Sequence, residues 1–115
     1  MKKLFSLILF GSITFLLFSS VYSQKVCEVN SSAFADVKVF VVSSEAFADL
    51  CVFKVSSSAF AGNNDGNWYF SGNSGDCYKK IYFVDSESFA DLKIYYVSSS
   101  AFAGWKNDSK KYLMQ

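Results

Sequence analysis

The chain has 115 residues, with 11 basic groups against 10 acidic ones, no His, no Arg and a formal net charge of +1. A near-neutral chain without a basic cluster lacks the electrostatic footprint of a nucleic-acid binder and the polybasic segment that holds a protein to anionic lipid. Without His, the commonest general base and metal ligand is missing, so Ser-His-Asp and Cys-His catalysis cannot be assembled.

Residues 1–23 read as a secretory signal peptide. Lys2 and Lys3 form its basic start, and Leu4 to Phe18 is an apolar run broken only by Ser6, Gly11, Ser12 and Thr14. Val21 and Ser23 are small enough for the positions before a cut, which is expected between Ser23 and Gln24. The run is short for a membrane span of about 20 residues, so no stable transmembrane anchor is expected; an uncleaved anchor is the alternative. Cys27 does not read as a lipoprotein cysteine, because a charged Gln-Lys-Val precedes it. Cleavage leaves 92 residues, enough for one small domain, and a secreted or periplasmic location.

The mature chain is built from a 13-residue unit. Copies run Lys25–Val37, Lys38–Leu50, Cys51–Asn63, Lys80–Leu92 and Lys93–Trp105, and a degenerate copy fills Asn67–Lys79 after an insertion of Asn64, Asp65 and Gly66. Arrays of this kind usually serve as scaffolds or binding surfaces. Positions two to five of a copy, such as Val39-Phe40-Val41-Val42 or Ile94-Tyr95-Tyr96-Val97, are rich in β-branched and aromatic residues and predict a strand. Alternation separates two faces. Ala35, Val37, Val39 and Val41, like Ala90, Leu92, Ile94 and Tyr96, form an apolar face expected to turn inward. Lys38 and Phe40, like Lys93 and Tyr95, belong to the wet face.

Segments such as Ser44-Glu45-Ala46-Phe47 have hairpin length, with the serine placed to cap a single turn. The expected fold is therefore all-β: an antiparallel meander of about six short strands. Equal loops give little of the stagger that a closed barrel needs. Residues 62–67, polar and Gly/Asn-rich, look like a hinge between three repeats and three repeats, folding the meander into a small two-sheet sandwich. The repeat domain would span 24–105, with 106–115 as a loosely held tail. Glu28 and Lys54, both at inward positions, would guard the sheet edges, and Phe70, Phe83 and Tyr96 would supply core. A narrow parallel β-solenoid, one coil per repeat, is the alternative.

These residues resemble a family of small exported bacterial proteins, common among Bacteroidetes, that carry tandem copies of a Q-A-D-x-K-[VI]-Y-[VF]-V unit and form a domain of unknown function. The unit appears as Phe34-Ala35-Asp36, Phe47-Ala48-Asp49 and Phe89-Ala90-Asp91, followed by Lys38, Cys51 and Lys93. The middle segment Asn64 to Phe70 is similar to the family's N-D-G-x-W-Y-F, and Ala103 to Lys111 to its A-G-W-x-N-x-S-K-K tail. Phe stands where the family usually has Gln, which makes the loops more apolar. The resemblance implies export and a repeat fold, and supplies no catalytic residue.

No catalytic or metal site is expected, and no cofactor. Asp36, Asp49 and Asp91 are the carboxylate candidates for glycoside hydrolysis, but each recurs at one repeat position beside a Lys, which reads as a structural ladder. Asn63, Asn64, Asp65 and Asn67 lack the spaced acids of a calcium loop and read as a turn. Cys27, Cys51 and Cys77 allow at most one internal bridge, Cys27–Cys51 being the sharper alternative to buried thiols. The remaining candidates are aromatic. Phe40, Phe53, Tyr69, Tyr82 and Tyr95 share the outer face and could stack on sugars or dock a protein, while Phe34, Phe47, Phe60, Phe89 and Phe102 sit in loops. The expected function is an exported non-catalytic repeat protein presenting a surface to a cell-envelope glycan or a protein; a structural or self-associating module is the alternative.

Overall fold

A computed structural model describes residues 23–115; the expected signal peptide, apart from Ser23, lies outside the described residues. The described chain is all-β, with seven strands: β1 Lys25–Glu28, β2 Val37–Val41, β3 Leu50–Lys54, β4 Asn67–Phe70, β5 Lys79–Phe83, β6 Leu92–Tyr96 and β7 Gly104–Trp105. The predicted strands are present, but shorter than the nine or so residues that four-residue hairpins would leave. Each pair of strands is joined instead by a longer segment containing a three-residue 3-10 turn, such as Ser32–Phe34, Glu45–Phe47 or Glu87–Phe89. Serine caps four of these turns as expected: Ser31, Ser44, Ser57 and Ser99 Oγ each accept from the backbone N–H two residues on, whereas Ser86 pairs with the Ser88 hydroxyl instead.

The arrangement overturns the antiparallel meander and its sandwich, and the solenoid is not seen either. Strands β1 to β6 are all parallel and follow one another in the order β4-β1-β5-β2-β6-β3, with β3 pairing back onto β4 to close a six-stranded barrel. Among the described strands only β7 is antiparallel, added to β3 through Leu50↔Trp105 and Cys51↔Gly104.

Consecutive strands are mostly not neighbours. The chain places β1, β2 and β3 at alternate positions round the barrel, then fills the gaps with β4, β5 and β6. Short links suffice because of the stagger. Glu28, at the end of β1, and Val37, at the start of β2, both pair with Ile81 of the strand between them. Residues 29–36 therefore need to step over one strand, about 10 Å, and not to travel back along a strand length. The interior is filled, so each link crosses outside the barrel. Segment 29–36 crosses β5, 42–49 crosses β6, 84–91 crosses β2, and 71–78 crosses β1.

The insertion performs the interleaving. Segment 55–62 crosses β4 just as 29–36 crosses β5: Val55 N–H donates to Trp68 O, and Gly62 N–H to Asn67 O. One more step of the same size would land on β1, where Gln24, just before the strand, already donates its N–H to Gly62 O. Asn64-Asp65-Gly66 turns the chain back by one place, into β4. Asn64 and Gly66 take positive φ values of 57° and 89°, and Asp65 Oδ1 accepts from Asn67 N–H at 3.1 Å. A Cβ at Gly66 would sit 2.3 Å from Cys51 O, so only glycine fits. What reads as a hinge between two sheets is a turn that shifts the second circuit by one strand.

Every neighbouring pair is displaced by two repeat positions in the same sense, as in Val26↔Lys79, Val39↔Leu92 and Phe53↔Asn67. That stagger per strand is double that of an eight-stranded α/β barrel with a tilt of about 36°, so these strands tilt more steeply. It also brings equal repeat positions to one level of the barrel. Val26, Val39, Val52, Trp68, Ile81 and Ile94, all at position two, form a central layer, each 0% exposed. Burying each of these side chains stabilises the fold by about 1.5–3 kcal/mol. Val37, Leu50 and Leu92 lie one level below.

Below them the C-terminal segment closes the barrel. The 3-10 helix Asp108–Met114 buries Met114 completely, and Gln24 Nε2 donates to Met114 O at 2.9 Å. Residues 106–115, read from the sequence as a loose tail, form that plug.

Candidate binding surface

The Asp of the repeat is a backbone clamp. Asp36 donates its N–H to Lys80 O and accepts the Lys80 N–H on Oδ2 at 2.8 Å. Asp49 does the same with Lys93, and Asp91 with Lys38. Asp49, the most buried of the three, also accepts from Asn107 Nδ2 and lies 3.4 Å from Lys110 Nζ. Each carboxylate fastens a crossing to the strand beneath it. Among the described residues no cluster of three or more His, Cys, Asp or Glu could hold a metal ion.

Glu28 and Lys54 do not guard edges, because the closed barrel leaves none there. At position four they join Val41, Phe70, Phe83 and Tyr96 in a ring at the mouth opposite the plug. The Lys54 ammonium lies 4.5 Å from the Tyr96 ring centre and 5.1 Å from that of Phe70, a cation held between two ring faces. Burial, and then the Glu28 carboxylate, push the Tyr96 phenol up to about 12. Phe70, Phe83 and Tyr96 pack against the core as partly buried residues.

The sequence-predicted aromatics lie on the outer wall. Tyr82, Phe40, Tyr95, Phe53 and Tyr69 follow one another round the barrel at position three, with Cys27 completing the circle on β1. All five are half-buried, because crossings run between them. They do not make the continuous exposed row that a flat sheet would show; Phe40, Phe53 and Tyr82 each floor a separate groove. One groove has Phe40 as floor and Phe47 as wall, with Glu87 opposite. A second pairs Tyr82 with Phe89 and faces Ser32. A third pairs Phe53 with Phe60 and faces Ser100. Their volumes are about 340–400 Å³, the low end of the small-molecule range, so each suits one ring or side chain.

The wall rings are the exposed ones. Phe34, Phe47, Phe60, Phe89 and Phe102 are 65–71% exposed, each at the same place in its 3-10 turn. In the degenerate copy Asp76 takes that place and pairs with Lys25 at 3.3 Å, so the belt of rings is broken over β1. The joining of floor to wall is the feature that the outer-face reading missed. Its signal was a constant spacing of seven residues in 40/47, 53/60 and 82/89.

No curated protein matches the chain. A family model described as the 7(1) septoil knot domain matches residues 18–106. The winding accords with that description. Strands inside and crossings outside, over two interleaved circuits, trace a path on a torus, the surface on which such knots are drawn. The stretch matched covers most of the chain and the whole barrel, and the chain therefore belongs to the 7(1) septoil knot domain family, a repeat-type domain.

Proposed function

We propose that this protein is an exported, non-catalytic binding module whose grooved outer wall meets a cell-envelope or extracellular partner. The observation that carries the reading is the belt of five equivalent, exposed phenyl rings, three of them each beside a half-buried aromatic floor. An apolar patch that the fold does not need is the usual mark of an interaction site. Repetition gives the wall several equal grooves, so a partner with repeated apolar faces gains avidity from weak individual contacts. An envelope glycan fits best: an aromatic floor and wall accept the apolar face of a sugar ring, and Ser32, Ser100 and Glu87 offer polar rim groups. The leader-like residues 1–23 and the resemblance to exported Bacteroidetes-type repeat proteins support the location.

The test is retention of the mature chain on an envelope glycan fraction at low and high salt. Stacking predicts retention that survives salt and falls at least tenfold in a Phe47→Ser, Phe89→Ser double variant. Equal retention of the variant removes the wall rings from the account. Retention only on protein-containing fractions assigns the grooves to a protein. Growth of oligomers with concentration, lost in the same variant, assigns them to a second copy.

A further inference from the structure

The degenerate copy departs from the repeat at a point where a second departure meets it. Position three is aromatic in five strands and Cys27 in β1; position eleven is Ala in five copies and Cys77 in the sixth. The fold brings these two exceptions together. Cys27 points outward from β1 and is 2% exposed beneath the crossing 71–78, and its thiol donates to Asn73 O at 3.4 Å. The Cys77 thiol is in side-chain hydrogen-bond contact with it. Cys51, on β3, lies two strands from β1 by way of β4 and four by the other path round the ring. This crossing also lacks the carboxylate clamp: Tyr78 stands at the position that holds Asp36, Asp49 and Asp91 in three other copies and Gly62 and Gly104 in the remaining two.

We propose that Cys27 and Cys77 form a disulfide when the protein meets a disulfide oxidant, and that this bond takes the place of the missing clamp. Cys77 is half-buried and reaches solvent first, whereas burial and the neighbouring Cys77 push the Cys27 thiol up to about 12. Cys77 sulfur, as thiolate, attacks an external disulfide such as oxidised glutathione; one thiolate leaves and a mixed disulfide forms. Cys27, losing its proton to solvent, then attacks the Cys77 sulfur and expels the second thiolate. Two protein thiols are oxidised, one external disulfide is reduced to two thiols, and the bond joins β1 to the segment that crosses it.

The full mature chain is incubated with oxidised glutathione, alkylated and mapped by mass spectrometry without reduction. The expected result is a Cys27 peptide linked to a Cys77 peptide, with Cys51 alkylated, and a melting temperature that rises on oxidation. Cys77→Ala restores the residue found in the other copies, so it keeps the fold while losing both the link and the rise. Cys51→Ser keeps both. Alkylation of Cys27 and Cys77, glutathione retained on Cys77, or a link through Cys51 overturns the proposal.

Discussion

The two sides of the barrel wall carry the same repeat to different ends. Inside, the side chains at position two make one closed apolar layer, from Val26 round to Trp68, with no exposure at all. Outside, one residue along each strand, the rings of Phe40, Phe53, Tyr69, Tyr82 and Tyr95 are only half-covered, and the crossing phenyls beyond them stand in solvent. The inner side holds the strands together by burial, and the Asp clamps fasten the crossings over them. The crossing phenyls, 65–71% exposed, bury too little area to contribute much to either task.

Substitutions can break that comparison in order of size. Ile81→Ala opens the central layer and is expected to cost about 3 kcal/mol, read as a lower urea midpoint with unchanged slope. Asp49→Ala deprives Lys93 N–H and Asn107 of their acceptor and leaves Lys110 without its carboxylate, at about 2 kcal/mol. The exposed Asp36→Ala should lose about half of that. An equal loss at the two sites would show that burial does not set the strength of the clamp.

Alkaline unfolding sharpens the mouth. The Tyr96 phenol ionises near 10 in the unfolded chain and near 12 in the fold, where burial and Glu28 oppose the charge. Its contribution to stability is complete below pH 10 and is lost as pH rises through 12. Tyr96→Phe should flatten that part of the stability profile, read by denaturant titration at each pH. Cys27, raised from 9 to about 12, adds a slope that begins lower and disappears when the thiol is oxidised. The smallest effect on stability belongs outside: Phe47→Ser should change it by less than about 0.5 kcal/mol, while weakening retention on the glycan fraction. A large loss of stability at Phe47 would mean that the crossing rings serve the fold.

Much of the local structure was legible because it is written once per copy. Alternation told the inner Val39 and Ile94 from the outer Lys38 and Lys93, the serines announced their turns, and the recurrence of Asp36, Asp49 and Asp91 marked a structural role. The order of strands was not legible. Val26 meets Lys79 across 53 residues, and nothing in a 13-residue period says which other copy a strand will meet. The hairpin reading took Ser44 to Phe47 as the whole loop, but Val42 and Asp49 bond to β6 and the link steps over it. Equal hairpin loops give little stagger, but equal crossings repeat one stagger at every interface, and that closes the barrel. Asn64 to Gly66 was seen as a break, and its meaning depended on β1 already occupying the next place. On the surface, the individual rings were legible and their partition into grooves was not, because the crossings that divide them come from other copies.

The interleaved closure is tested most directly by methyl and ring contacts in solution. In a protein with labelled methyl groups, nuclear Overhauser contacts are expected to run in a closed circle, Val26 to Ile81, Val39, Ile94, Val52 and Trp68, and back to Val26. Contacts confined to successive copies, Val26 to Val39 to Val52, with none to Ile81 or Ile94, would contradict the account.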